Sequence, residues 1–347
     1  MLRTGDIIVT ALLVLLASQG TLGLAANPRC VGICEKLREQ IPNRLASFNT
    51  SLPFKTVTTR WSETSQLDPA CVVLPASSSD VALTIYLLQG QTEGPAKCQF
   101  SIKSGGHTPW PGANDIQNGI SVDLSNLKGI NVAQDGSIVQ LGPGNTWSDV
   151  YTALDPMNIS VPGGRCGAVG VGGLAISGGY SFFTPRIGFV ADNVENYEVV
   201  LASGAIINAN SGDHADLFRA LKGGGGNNFG IVTRVDIRSF HNRRLWGGAI
   251  TAAVDPKTRE SLLRDVVAFT LASFTNRYTA VQVQMFSSSQ SISHNIGLSI
   301  VDTSGNTNAT ILQPFYTIAG QTANTLRTAT MRDLADEITA MEPAGKR

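Results

Sequence analysis

Residues 161–179 read VPGGRCGAVGVGGLAISGG, and eight of these nineteen positions are glycine. This stretch cannot form an uninterrupted central β-strand, because proline lacks a backbone donor and glycine weakens strand pairing. Glycine has no Cβ and therefore lets backbone N–H groups approach an anion closely. The stretch predicts a loop that can hold the phosphate or pyrophosphate groups of a ligand.

Three further segments concentrate glycine: KSGGH at residues 103–107, GPGN at 142–145 and GGGG at 223–226. Any one of them could be a simple turn, but four clusters in one region favour a ligand-binding role. A P-loop is excluded, because asparagine rather than lysine and serine or threonine follows Gly226. A Rossmann fold is disfavoured, because Pro162 and three glycines interrupt the strand that should precede the G-x-G-x-x-A match beginning at Gly170.

The chain divides near Phe240 into two regions of different pattern. The first region, from Leu67 onward, has short β-like runs and many glycines, and the second has longer helical and strand patterns. Apolar spacing predicts a mixed α+β protein, with strands at 70–74, 99–103, 120–124, 138–141, 197–202, 205–208 and 231–237, and helices near 78–88, 147–154 and 213–221. Ser203-Gly204 predicts a hairpin turn.

The second region predicts a helix from 255, strands at 280–286 and 295–302, and a last helix near 331–338. The sequence offers this last helix no strand to pack on. We therefore expect the second domain to be incomplete.

The N-terminus has the pattern of a secretory signal. A polar start with Arg3 precedes an apolar run from Ile7 to Ala17, and small residues follow up to Ala26. A membrane anchor is the competing interpretation, but a spanning helix needs about 20 apolar residues and this run is shorter. We expect cleavage of residues 1–26 and secretion without a stable membrane anchor, in agreement with glycosylation sequons at Asn49, Asn158 and Asn308.

Four of the five cysteines lie in the first hundred residues: Cys30, Cys34, Cys71 and Cys98. An oxidising compartment favours disulfides between them, and all three possible connectivities stay open. Cys166 is the odd one out.

Charge and histidine count limit the possible ligands. The chain has 26 basic and 26 acidic residues, so we expect no nucleic-acid partner. Its four histidines are far apart, and none has another histidine or a carboxylate at helical metal-ligand spacing, so we expect no metal site. His107 differs from the others because it follows two glycines, on a turn that can approach a ligand closely.

Five motifs occur together in order: KSGGH with GISVDLSNL at 119–127, GGRCGAVGVGG at 163–173 with SGG at 177–179, DNV at 192–194, DLFRALKGGGG at 216–226, and NFGIVT at 228–233. Their combination resembles the berberine-bridge-enzyme-like FAD-linked oxidoreductases, within the vanillyl-alcohol-oxidase-type flavoproteins. The resemblance is close over residues 61–240. It implies a PCMH-type FAD-binding domain of two α/β subdomains at 27–240, with its core at 67–240. A partial α/β substrate domain with an antiparallel sheet is implied at 241–347.

The same resemblance implies bicovalent FAD. His107 would bond to the flavin 8α-methyl carbon and Cys166 to flavin C6; imidazole and thiolate are nucleophiles able to add to the oxidised ring. The remaining cofactor contacts implied are Ser104, Gly105, Gly106, Gly172, Gly173, Gly178, Gly179, Ile231 and Val232.

By resemblance, the enzyme takes a hydride from a sugar or from an alcohol or amine of a secondary metabolite, and O2 reoxidises the flavin. No catalytic base is identified, because no Tyr-x-Asn-type motif follows Phe240. The alternative is an incomplete gene product that binds flavin without turnover. The sequence gives no signal for a particular substrate or oligomeric state.

Overall fold

The computed structural model describes residues 27–46, 58–90, 97–224, 228–272, 275–288, 291–342 and 345. The predicted signal peptide and the sequon at Asn49 lie outside these residues. The strands are β1 (Leu45–Ala46), β2 (Cys71–Val73), β3 (Phe100–Lys103), β4 (Ile120–Asp123), β5 (Ile130–Val132), β6 (Ile138–Leu141), β7 (Ile159–Ser160), β8 (Val194–Val200), β9 (Ile206–Asn210), β10 (Ile231–Arg238), β11 (Phe240–His241), β12 (Leu245–Val254), β13 (Thr279–Ser288), β14 (Ser291–Asp302), β15 (Gln321–Asn324) and β16 (Arg327–Ala329).

The α-helices of the described residues are α1 (Pro28–Gln40), α2 (Ser78–Gln89), α3 (Trp147–Leu154), α4 (Val171–Ala175), α5 (Thr184–Ile187), α6 (Ala215–Leu221), α7 (Pro256–Ala272), α8 (Gln313–Tyr316) and α9 (Met331–Met341). The chain is therefore a mixed α+β protein, and this prediction is confirmed.

The first sheet has the order β1-β2-β4-β3, with β2, β4 and β3 parallel and β1 antiparallel to β2. Two disulfides, Cys30–Cys98 and Cys34–Cys71, tie α1 to this sheet and to the segment before β3. They select one of the three connectivities that the sequence left open. Cys166 is free, as its odd count predicted.

The second sheet is antiparallel, in the order β5-β6-β10-β8-β9. The predicted hairpin joins β8 to β9, and Gly204 has a φ of +81° in its turn, a conformation that glycine adopts without steric cost. Val200 and Ile231, at facing ends of β8 and β10, belong to the apolar core of the first sheet. The two sheets therefore meet where β10 begins.

The third sheet is also antiparallel, in the order β13-β14-β12-β15, with β16 pairing with β12. Leu262 of α7 and Phe315 of α8 pack on one face of it. Its central strand β12 was not predicted, since Gly247 and Gly248 disrupt the alternating pattern. A Cβ at Gly247 would lie 2.6 Å from the Ile300 carbonyl oxygen, so glycine is required where β12 passes β14.

The last helix, α9, does have a strand to pack on, contrary to the sequence expectation. Met331, Leu334, Ala335 and Ile338 are buried in the core of the second sheet, together with α3 and with Leu245 of β12. The sequence pattern missed this contact because it joins residues far apart in the chain. Thus α9 docks on the first region.

None of the helices in the described part of the chain has the combination of length and hydropathy needed to cross a membrane.

Replacing Leu334 by alanine should lower the free energy of unfolding by about 2–5 kcal/mol, because it removes a buried side chain and leaves a cavity. Arg332→Ala, on the exposed side of α9, is the matched control and should change it by no more than about 0.5 kcal/mol. Urea denaturation measures both. Equal effects of the two substitutions would contradict the docking of α9.

Candidate functional site

A cavity of about 400 Å³ lies where the first and second sheets meet. Three segments supply most of its lining: the turn after β3 at 104–108, the glycine-rich segment at 169–177, and the start of β10. Eight of the sequence-predicted cofactor residues are among its lining: Ser104, Gly105, Gly106, His107, Gly172, Gly173, Ile231 and Val232.

The cavity wall depends on a close contact between two glycines. A Cβ at Gly105 would lie 2.5 Å from the backbone nitrogen of Gly170 and 2.6 Å from its Cα. Ser104 joins the same segments, since its hydroxyl donates to the Pro143 carbonyl oxygen at 2.5 Å and accepts from the Gly172 N–H at 3.2 Å. Sequence reasoning could not show that Ser104 connects three loops.

A second cavity of about 380 Å³ adjoins the first and reaches the segment Asn228–Ile231. The two cavities share Ile102, Ala113, Gly230 and Ile231 in their linings. The two cavities are therefore neighbours on either side of these four residues.

Gly178 and Gly179 are absent from the linings of both cavities. Both have positive φ, +86° and +77°, and a Cβ at Gly179 would contact Val190. Turn geometry and packing therefore explain these glycines without a ligand, and their cofactor role stays a prediction.

His107 is half-buried at one end of the first cavity and stacks on Trp61, with 4.3 Å between ring centroids. Its Nε2 atom is buried and has no hydrogen-bond partner among the described residues. Burial lowers the pKa of His107, although its own backbone and the charge of Glu342 act in the opposite direction. The imidazole is therefore neutral near pH 7, with an unused ring nitrogen.

Cys166 is buried beside the end of α9. Its Sγ lies 3.6 Å from the Thr339 hydroxyl, which also accepts from the Ala168 N–H at 3.1 Å and donates to the Ala335 carbonyl oxygen at 3.0 Å. Burial raises the pKa of Cys166, so the resting group is a neutral thiol.

The structure brings His107 and Cys166 together with a third group that the sequence did not indicate, Glu342. A ring nitrogen of His107, Sγ of Cys166 and a carboxylate oxygen of Glu342 all lie within 4.8 Å of one another. These atom types also bind Zn²⁺. The expectation of no metal site, made from local spacing, stays a prediction.

Asn114 is a second residue that sequence reasoning missed. It lines the first cavity and is 5% exposed, and neither its Nδ2 nor its Oδ1 has a hydrogen-bond partner among the described residues. Buried amides normally make hydrogen bonds, so this side chain is available to a polar ligand. It belongs to no glycine cluster, and nothing in the sequence distinguished it.

The other predicted positions are on the surface. Asn158 and Asn308 are exposed, as glycan acceptors must be. His214 and His241 are exposed too.

Known proteins resemble this chain in sequence and in fold. A family described as "FAD binding domain" matches residues 69–210. An FAD-dependent monooxygenase of Penicillium roqueforti is 39% identical over 257 residues, which are 74% of this chain and 48% of that protein. The chain thus spans about half the length of this curated relative.

Two solved structures share the fold. The 6-hydroxy-D-nicotine oxidase of Arthrobacter nicotinovorans has a TM-score of 0.75 at 22% identity, covering 86% of this chain and 63% of the oxidase. The glucooligosaccharide oxidase of Acremonium strictum has a TM-score of 0.68 at 20% identity, covering 86% of this chain and 61% of that one. Its structure is described as having a 6-S-cysteinyl, 8α-N1-histidyl FAD.

Replacing Gly105 by alanine should lower the free energy of unfolding by about 1–3 kcal/mol, because the new methyl group would overlap the Gly170 backbone. Gly173→Ala is the matched control, since a Cβ there meets no atom within 4 Å. Thermal and urea unfolding of both variants measure the difference. A Gly105→Ala protein as stable as Gly173→Ala would show that the two loops do not approach as described.

Proposed function

We propose that the chain is a berberine-bridge-enzyme-like FAD-linked oxidoreductase, a secreted flavoenzyme that holds FAD covalently through His107 and Cys166; its match to the FAD-binding-domain family supports the cofactor. The observation that carries the proposal is that His107, which lines a glycine-lined cavity, lies beside Cys166. They are 59 positions apart in the sequence, yet the reactive atoms lie within 4.8 Å.

The residues around the cavity fit an FAD molecule. Two adjoining cavities of about 400 and 380 Å³ provide space for an extended ligand, and the glycines in their linings carry no side chain that would obstruct backbone N–H groups. Gly106, Gly172 and Gly173 would face the pyrophosphate and ribityl chain, and Ile231 and Val232 would cover part of the ring systems. The unpaired Nε2 of His107 and amide of Asn114 provide polar atoms for which the protein itself offers no partner.

The two proposed attachment residues are free to form bonds with an electron-poor ring, although only His107 is already in its reactive form. Burial keeps His107 neutral, so a ring nitrogen lone pair is available. Cys166 is outside both disulfides. The Acremonium strictum oxidase, which shares the fold, has an FAD linked through a cysteine and a histidine, and this supports the same arrangement here.

When bound, the flavin would supply hydride acceptance. The substrate would be a sugar or an alcohol or amine of a secondary metabolite, and dioxygen would reoxidise the flavin. The chain contributes the orientation of the cofactor and a neutral, partly buried attachment site. The name of the Penicillium roqueforti relative favours a second candidate, a monooxygenase that transfers an oxygen atom to its substrate.

Secretion is proposed on two structural features. Disulfides such as Cys30–Cys98 and Cys34–Cys71 persist in oxidising compartments. Asn158 and Asn308 are exposed in sequons and accessible to glycosylation.

Acid denaturation should leave flavin attached to the wild-type polypeptide. His107→Ala and Cys166→Ala should each retain flavin through the remaining bond, and the double variant should release all of it into the supernatant. In-gel fluorescence and the intact mass of the protein measure attachment. His214→Ala, an exposed histidine, is the control and should behave as wild type. Release of all flavin from the wild type would refute covalent attachment.

The fate of dioxygen separates the two candidate activities. An oxidase should release one hydrogen peroxide per substrate oxidised, with no label from ¹⁸O₂ in the organic product. A monooxygenase should place one ¹⁸O atom in the product instead. Flavin reduction by a panel of sugars and secondary-metabolite alcohols, followed by mass spectrometry in ¹⁸O₂, measures both. A flavin that stays oxidised with every substrate would favour binding without turnover.

A further inference from the structure

We propose that Glu342 is the base that takes the proton from Cys166 when this thiol bonds to the flavin. The inference rests on the proposed function, since it concerns how the second covalent bond forms. It assigns a role to the end of α9, a segment that lies outside the residues matched by the FAD-binding family.

Burial raises the pKa of Cys166 more than the hydrogen bonds from Thr339, Ala168 and Val169 lower it, which favours a protonated thiol at rest. The Thr339 hydroxyl has one hydrogen, which it donates to the Ala335 carbonyl oxygen, and it accepts from the Ala168 N–H. Its second lone pair remains for Cys166 Sγ, 3.6 Å away. This arrangement of the Thr339 hydroxyl leaves the thiol free to donate in the contact. Thr339 orients it but cannot act as the base, because a neutral hydroxyl is a weak proton acceptor.

Glu342 is held next to this thiol by neighbours on two elements. Its Oε1 accepts from Gln284 Nε2 of β13 at 2.5 Å, and its backbone oxygen accepts from the Trp61 ring N–H at 3.4 Å. Trp61 in turn stacks on His107. No hydrogen bond to the second carboxylate oxygen is found among the described residues. That oxygen is therefore available to a proton, directly or through one water.

The position of Glu342 is not explained by helix stability. It follows the last turn of α9, where a negative charge interacts unfavourably with the helix dipole. The charged or titratable groups near Cys166 include Arg165, His107 and Glu342, and the Asp336 carboxylate lies beside the neighbouring Gly167. A guanidinium cannot accept a proton, and His107 is itself a proposed attachment residue. Asp336 already accepts from the Ser148 hydroxyl and pairs with Arg332, whereas a carboxylate oxygen of Glu342 lies within 4.8 Å of Cys166 Sγ. We therefore assign the base to Glu342.

The proposed step balances as follows. The S–H bond of Cys166 breaks, its proton passes to Glu342, and the sulfur electron pair forms the bond to the flavin ring carbon. The hydrogen on that carbon leaves as a proton, and two electrons leave the ring for dioxygen. The sum is thiol plus FAD plus O2 giving thioether-linked FAD plus hydrogen peroxide.

The test isolates the cysteine bond in a His107→Ala background. Full-length apoprotein made under riboflavin limitation is mixed with FAD and O2, with a chelator present to exclude bound metal, and acid-stable flavin is followed over time. Adding Glu342→Gln should slow attachment roughly 10²-fold, a typical contribution of a general base. Glu337→Gln, on the same helix and paired with Arg327, is the matched control and should not change the rate.

A purely electrostatic role of Glu342 predicts the opposite sign. Burial is the main cause that raises the pKa of Cys166. The charge of Glu342 raises it by a smaller amount. Glu342→Gln should therefore lower the thiol pKa, measured from the pH dependence of iodoacetamide alkylation. If the charge alone mattered, attachment would become faster. Slower attachment together with a lower thiol pKa supports the base; an equal or faster rate overturns it.

Chemical rescue distinguishes a lost base from a damaged fold. Acetate or formate should restore attachment in Glu342→Ala in proportion to its concentration, and Glu342→Asp should retain part of the rate. Failure of both would overturn the proposal. If the His107→Ala parent binds FAD but never forms an acid-stable adduct, covalent attachment through Cys166 is itself wrong. A different result would refute this inference alone: the His107→Ala parent forms the acid-stable adduct, and adding Glu342→Gln leaves the rate of attachment unchanged.

Discussion

The close approach of Gly105 to Gly170 is the contact on which the site depends. One glycine follows a strand of the first sheet, and the other lies in the long glycine-rich loop before α4. Any side chain at Gly105 would separate these two segments, and the cavity between the sheets would open. The hydrogen bonds of Ser104 to Pro143 and Gly172 reinforce the same contact. These glycines therefore have two roles. They let two backbone segments pack closely together, and they leave space for a ligand.

The last helix, α9, packs against the loop that contains Cys166. The Gly167 N–H donates to the Ala335 carbonyl oxygen at 3.0 Å, and Ser148 of α3 donates to Asp336 at 2.7 Å. The loop that contains Cys166 is thus fixed between α3 and α9. Because α9 follows the third sheet, the second region of the chain orients a residue of the first. The predicted boundary near Phe240 stays a prediction, but the two regions cooperate at Cys166.

The sequence predicted the parts of the site that local chemistry determines. Glycine clusters, a histidine after two glycines and an unpaired cysteine were visible in it, and most helices and strands of the first region follow from apolar spacing. The sequence did not show, however, which glycine clusters line the cavity and which are only turns. GPGN at 142–145 is a turn in which the Asn145 amide caps the Gly129 and Gly142 carbonyl oxygens, although Pro143 also reaches the cavity lining. Disulfide connectivity and the positions of Thr339 and Glu342 depend on contacts between distant residues, 173 positions apart for Cys166 and Thr339, which no local pattern contains.

Burial has different chemical consequences for the two proposed attachment residues, His107 and Cys166. It favours the uncharged form of each, and uncharged imidazole already has a nucleophilic lone pair. An uncharged thiol is a poor nucleophile, because the thiolate is the reactive species. His107 therefore needs only to be placed correctly, which its stacking on Trp61 achieves, whereas Cys166 also needs a proton acceptor. The carboxylate of Glu342 lies near both groups. In the proposed reaction only the thiol needs a base, because burial raises its pKa and so disfavours the reactive thiolate.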